Sequence, residues 1–240
     1  MRKVALVTGG AVRVGRALSV GLAEAGFDLV VSYHTSGGAA REVERAVTGL
    51  GRRAHLAPGD VSEAEDVERI AQEVRREFGR LDLLVNNAAS FRARPLLEVG
   101  EAEWDEVMAV NLKGPFLMVR ATAELLREAR GSVVNVLDLS AVQPWTGHPH
   151  HSVSKAALLH LTRVMARALA PHVRVNAVAL GTVLPPEDLS PDEVERERER
   201  APLGALGNPQ DVVRTVLFLA GSPFLTGEVL LVDGGRHLTG

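Results

Sequence analysis

The chain has 240 residues, 46% of them apolar and 24% charged, and its formal net charge of -3 gives no basic field for nucleic acid. It has no cysteine, which excludes disulfides and thiolate metal sites, so any redox chemistry requires a cofactor. No apolar run reaches the ~18–20 residues that cross a bilayer. Residues 1–10 lead straight into a strand-like segment without the basic start and long apolar stretch of a secretory signal, so a cytoplasmic protein off the membrane is expected.

Short β-branched apolar runs at 3–8, 28–33, 53–57, 81–86, 132–137, 173–179 and 229–232 read as strands, with longer amphipathic stretches between them. No repeat or Gly/Pro/Ser-rich linker divides the chain. The alternation predicts one doubly wound α/β domain over 1–240: a mostly parallel seven-stranded sheet, helices on both faces, and ligands in the crevice at the strands' carboxyl ends.

In chain order, the chemistry-bearing residues fall just after those strands. Thr8-Gly9-Gly10-Ala11-Val12-Arg13-Val14-Gly15 follows the first strand and opens a helix, so backbone N–H groups can meet a pyrophosphate. The second strand ends in Tyr33-His34-Thr35-Ser36, with no carboxylate to bond a ribose 2′-OH or repel a 2′-phosphate. Arg13 supplies a nearby cation and His34, Thr35 and Ser36 supply donors, which points to NADP(H). Further along stand Gly59-Asp60-Val61, Asn86-Asn87-Ala88-Ala89-Ser90-Phe91, Asn111 in a helix, Asp138, the cluster His148-Pro149-His150-His151, Lys155, Asn176, Gly181 and Asp233-Gly234-Gly235. The segment 181–191 is loop-like, and a charged run at 192–200 reads as a solvated helix face; its position suggests a small lid over about residues 181–205.

In this order the motifs resemble the short-chain dehydrogenase/reductase family over essentially the whole chain. The resemblance implies cofactor roles for Gly9, Arg13, Val14, Gly15, Asp60, Val61, Asn87, Ala88, Lys155 and Gly181: Asp60 against adenine, Asn87 and Ala88 along the adenosine and ribose, Lys155 on the nicotinamide ribose. Three details are similar to pteridine reductases: Arg13 in place of the middle glycine, Phe91 after the fourth strand, and Asp138 in place of the usual serine. That branch implies Arg13 against phosphate and substrate and Phe91 stacked on a flat substrate ring; the wider family implies Asn111 supporting a water relay toward Lys155 and a homotetramer built on helices 101–129 and 152–169. Thr35 departs from the branch, which commonly has Arg there.

Family catalysis uses Tyr-x-x-x-Lys on one helix, but four residues before Lys155 stands His151, and the sole tyrosine, Tyr33, belongs to the second strand. Asp138 precedes His151 by the interval at which the family spaces its serine and tyrosine. Three readings follow: His151 is the proton donor, held by Asp138; Asp138 protonates a ring nitrogen while His151 positions it; or the site binds NADP(H) without fast chemistry. A reductase of small carbonyl compounds, such as a 3-oxoacyl thioester or sugar ketone, is the alternative enzyme. A metal at His148, His150 and His151 is not expected, because Pro149 and the tight spacing keep the three rings from converging and no acidic or cysteine motif completes the set.

Overall fold

A computed structural model describes residues 2–185 and 189–239. Seven strands, β1 (Val4–Val7), β2 (Asp28–Tyr33), β3 (Ala54–Pro58), β4 (Leu83–Asn86), β5 (Ser132–Asp138), β6 (Arg174–Leu180) and β7 (Val229–Val232), form one sheet in the order β3-β2-β1-β4-β5-β6-β7. Every neighbouring pair is parallel. The observed strands depart from the sequence reading by a residue or two at their ends: β1, β3, β4 and β6 start later, and β3, β5 and β6 end one residue later.

The period-2 alternation of β1 builds both sides of the core. Ala5 and Val7 join Leu18 and Leu22 of α1 (Arg13–Glu24), Val43 and Val47 of α2 (Gly37–Gly49) and Val212 and Val216 of α8 (Pro209–Gly221). Val4 and Leu6 point the other way, onto Ile70 and Val74 of α3 (Ala64–Phe78), Met118 and Leu125 of α5 (Gly114–Ala129) and Met165 of α6 (Pro149–Leu169). The strand order reverses between β1 and β4, and in a parallel sheet the loops leaving those two strands diverge and leave a crevice. Thr8–Gly15 and Asn87–Phe91 are those two loops.

Two departures bear on the site. The stretch 101–129 is not one regular helix: α4 (Glu101–Met108) passes through a π-turn at Ala109–Lys113 before α5 begins. The wide turn admits an extra residue and is a recurrent feature of functional sites. The charged run forms α7 (Pro191–Glu199), whose first turn is closed by a capping box between Ser190 and Glu193. No α7 residue is buried, as a solvated face requires, yet Glu197 turns inward to bond Thr182 and Arg236. The expected lid at 181–205 includes residues 186–188, which lie outside the described residues.

Candidate active site

The loop after β1 is held open by its own backbone. Gly9 adopts φ +60°, and a Cβ built on Gly15 would stand 2.0 Å from the Gly9 carbonyl oxygen, so only glycine fits there. Arg13 occupies the left-handed region at φ +51°, the conformation that glycine takes at no cost in the pattern it replaces. Its guanidinium donates across the crevice to the carbonyls of Leu184, at 2.5 Å, and Pro185. No side chain caps the first turn of α1 and no acid lies in it, which leaves the helix's first N–H groups for an anion. Asn87 staples this loop to β4: its Nδ2 donates to the carbonyls of Thr8 and Gly9, while the Thr8 hydroxyl accepts the N–H groups of Asn87 and Ala88.

Around this turn lies a cavity of about 410 Å³ lined by Gly9, Arg13, Val14 and Gly15, by His34, Thr35 and Ser36, and by Val61, Asn87 and Ala88. No carboxylate lines it among the described residues. Like α1, α2 starts with neither a side-chain cap nor an acid in its first turn. Asp60 stands just behind, between the lining residues Gly59 and Val61; its Oδ1 accepts from the Ser62 N–H and hydroxyl, and its Oδ2 lies 3.8 Å from His34 Nδ1. Through Arg13, Val14, Asn87, Ala89 and Phe91 this cavity joins a larger one of about 950 Å³ that holds Asp138, His151, Lys155 and Gly181.

Asp138 ends β5 and its carboxylate is fully engaged. Oδ1 accepts from the Ser140 N–H at 2.9 Å and from the Ser140 hydroxyl, and Oδ2 accepts from His151 Nε2 at 2.7 Å. Burial pushes the Asp138 carboxyl up, but the hydrogen bond from His151, the charges of Lys155 and His151, and the Ser140 hydroxyl outweigh it and hold the group at about 2. Asp138 is therefore an anion at neutral pH. Lys155, wholly enclosed, donates Nζ to the Val136 carbonyl at 2.9 Å; burial pulls its ammonium down and the Asp138 charge opposes that.

The second nitrogen of His151 is fixed by counting donors. Asn111, buried in the π-turn, accepts from the Ser90 N–H through Oδ1 and spends its two Nδ2 hydrogens on the Ser90 carbonyl and the Ser154 hydroxyl, each at 3.0 Å. No hydrogen remains for His151 Nδ1, 3.3 Å away, so Nδ1 itself donates to the Ser90 carbonyl at 3.1 Å. Nε2 thus faces a carboxylate and Nδ1 a carbonyl, two acceptors on opposite sides of the ring. The π-turn aims the Asn111 amide at Ser90, Ser154 and His151.

Phe91 is on the cleft, half exposed, with one face already covered by the His148 ring at 4.3 Å and 19° between planes and its ring near-perpendicular to His151. Trp145 also meets it edge-on, at 6.5 Å. Trp145 lies over His151 at 6.4 Å, 17° between planes. The three clustered histidines take separate settings: His148 on Phe91, His150 buried against Glu103 at 3.4 Å, His151 on Asp138. Burial, followed by the charges of His151 and His150, pulls His148 down, with Asp138 opposing. Sequence reasoning missed Ser140, Trp145, His148 as a packing partner, and Thr182, Glu197, Arg200 and Arg236 on the cleft wall. Ser140 was findable as a hydroxyl two residues after an acid; the others come from loops that the sequence does not bring together.

The order of motifs, the sheet and the cleft all recur in known proteins. A family model described as enoyl-(acyl carrier protein) reductase matches residues 10–237. The 3-oxoacyl-acyl-carrier-protein reductase FabG of Staphylococcus aureus (strain N315) is 34% identical over 244 residues, covering 99% of both chains. The chain belongs to the short-chain dehydrogenase/reductase family. Among solved members of similar structure, a dehydrogenase/reductase from Sinorhizobium meliloti 1021 superposes with a TM-score of 0.92 at 36% identity, covering 98% of this chain and 94% of its own. Acetoin dehydrogenase from Enterobacter cloacae does so at 0.91 and 32% identity, covering 100% and 98%. As a short-chain dehydrogenase/reductase the chain is an oxidoreductase of a family that uses nicotinamide cofactors on small molecules. Among the described residues no helix is long and apolar enough to cross a membrane.

Proposed function

We propose that the protein is a cytoplasmic, NADP(H)-dependent reductase of a flat conjugated heterocycle of the pterin type, with the proton supplied by the Asp138–His151 ion pair. The glycine cradle fits a pyrophosphate, since a Cβ at Gly15 would fill it, and the carboxylate-free turn His34-Thr35-Ser36 at the open start of α2 fits a 2′-phosphate. In this reading Gly9, Arg13, Val14, Gly15, Val61, Asn87 and Ala88 hold the cofactor with Asp60 behind them, and Lys155 and Gly181 lie toward its nicotinamide end. The cofactor supplies hydride when bound.

The chain's own part is the proton. Asp138, held as an anion, has none of its own to give near neutral pH, so in this reading the proton comes through His151, whose Nε2 meets Asp138 Oδ2 at 2.7 Å. The His151 side chain is nearly sealed at 2% exposure while Asp138 is 22% exposed, so Asp138 is the more accessible member of the pair and passes the proton on. A ring imine needs less electrophilic help than a ketone, so a site without the family's tyrosine suits the heterocycle, and Phe91, half exposed on the cleft, suits a flat ring. The observation that carries this reading is the Asp138–His151 pair beside Phe91 in one cleft.

A second reading, reduction of a 3-oxoacyl thioester, is favoured by the name of the staphylococcal relative, which speaks for a carbonyl substrate more directly than anything in the cleft speaks for a pterin. NADPH oxidation with dihydrobiopterin, dihydrofolate, acetoacetyl-coenzyme A and a ketone panel separates them, with NADPH and NADH binding measured in parallel. Turnover confined to the pteridines supports the first reading. Turnover on the thioester alone replaces it with the second, and tight NADPH binding with no turnover on any of them leaves a binding protein.

A further inference from the structure

The far wall of the cleft carries charge that neither the cofactor cradle nor the proton pair uses. After β6 comes Thr182, after β7 comes Arg236, and α7 brings Glu197 with Arg200 just beyond its end; all four line the larger cavity with Asp138 and His151. One carboxylate here serves two guanidiniums. Glu197 Oε2 accepts from Arg236 Nη1 at 2.5 Å and Oε1 from Arg200 Nη1 at 2.6 Å, and Arg236 Nη1 also donates to the Thr182 hydroxyl. These contacts use Nη1 of each arginine; among the described residues Nε and Nη2 of both make no hydrogen bond. Arg236 is largely enclosed, at 18% side-chain exposure, which screens it less than a surface arginine. Among the described residues the lining holds Arg13, Lys155, Arg200 and Arg236 beside Asp138 and Glu197.

We infer that Arg236 and Arg200 form an anion subsite that holds a carboxylate or phosphate on the substrate's tail, remote from the group that is reduced. This rests on the reading of the cleft as a substrate site. The planar fork of an arginine matches both oxyanions, and the unspent Nε–Nη2 edge supplies both hydrogen bonds of a bidentate pair. Glu197 is the internal counter-charge: it keeps the arginines in place and lowers their pull on a ligand. Burial pushes the Glu197 carboxyl up, but the Thr182 hydroxyl and Arg236 outweigh it, so it remains ionised. The inference makes the two kinds of substitution act in opposite directions, which a purely structural cluster does not.

The test has a kinetic arm and a binding arm. In the first, dihydrofolate is compared with dihydrobiopterin, and acetoacetyl-coenzyme A with ethyl acetoacetate, so each substrate with an anionic tail is set beside one without. Arg236→Gln and Arg200→Gln raise KM for the tailed member roughly ten- to hundredfold with kcat nearly unchanged, Glu197→Gln lowers it, and the uncharged members do not respond. In the second arm, calorimetry measures p-aminobenzoylglutamate and phosphopantetheine, tails without a reducible group, against the same variants. Binding of the first assigns a dicarboxylate tail and of the second a phosphate tail, and either, weakened by loss of the arginines and strengthened by loss of Glu197, upholds the subsite even if no substrate turns over and the reductase reading falls. Shifts of the same sign in all variants, equal shifts for tailed and uncharged substrates, or no binding of either fragment at millimolar concentration overturns it.

Discussion

At the scale of single residues, the site depends on atoms with no spare room or no spare hydrogen. Gly15 is the clearest case: a methyl group there meets the Gly9 carbonyl oxygen at 2.0 Å and Asn87 Nδ2 at 2.7 Å, so Gly15→Ala must displace the phosphate turn. NADPH affinity, followed by the fluorescence of the bound nucleotide, is expected to fall by more than tenfold, with the far-UV circular dichroism of the fold retained. Asp138 links the site to pH. Its carboxyl is depressed from 3.8 to about 2, so its contribution to stability is present above the unfolded value and is lost as pH falls through the folded one. That shift corresponds to about 2 kcal/mol. Asp138→Asn should therefore unfold at lower urea than the wild type near pH 7, and the gap should narrow as pH falls below about 4. Gly15 and Asp138 were both legible in the sequence as a glycine pattern and as an acid at a serine position. The direction in which His151 points was not, because it depends on how Asn111 spends its two amide hydrogens.

At the scale of elements, helix α6 carries His151 and Lys155 to the cleft, with His148 just before its first residue, and the π-turn carries Asn111 to meet His151. The four-residue interval from His151 to Lys155 was readable as one helix face, but the π-turn was not: Ala109–Lys113 has no sequence mark that distinguishes it from continuous helix. It matters because Asn111 holds both backbone groups of Ser90, and Ser90 in turn accepts from His151 and precedes Phe91. Asn111→Ala leaves these groups without a partner, with an expected loss of about 1–3 kcal/mol. Substrate turnover should drop while NADPH binding stays close to that of the wild type, since the cofactor turn is stapled separately by Asn87. Thermal unfolding and nucleotide titration of the same preparation check both halves. The sequence also indicated that the charged run of α7 is solvated, which holds for most of it; Glu197 escaped because the partners that turn it inward, Thr182 and Arg236, lie after two other strands.

At the scale of the molecule, the parallel sheet was legible as seven β-branched runs alternating with helices, whereas its strand order was not, and the position of the cleft follows from the reversal between β1 and β4. Assembly is a separate matter. An apolar groove of about 650 Å³ between the α4–α5 segment and α6 is lined by Met108, Leu112, Phe116, Leu161 and Val164, with Phe116 and Val164 half exposed. These are the helices on which a homotetramer is expected, and Phe116→Glu should then shift the sedimentation coefficient to that of a smaller species; an unchanged, monomeric wild type contradicts that assembly. The central claim concerns the proton, and the most direct test is substrate-dependent NADPH oxidation by His151→Ala beside the wild type, with NADPH affinity measured on both. The account predicts turnover reduced by about 10²–10⁴-fold with affinity within a few-fold of the wild type. Turnover equal to that of the wild type would remove His151, and the Asp138–His151 pair with it, from the chemistry.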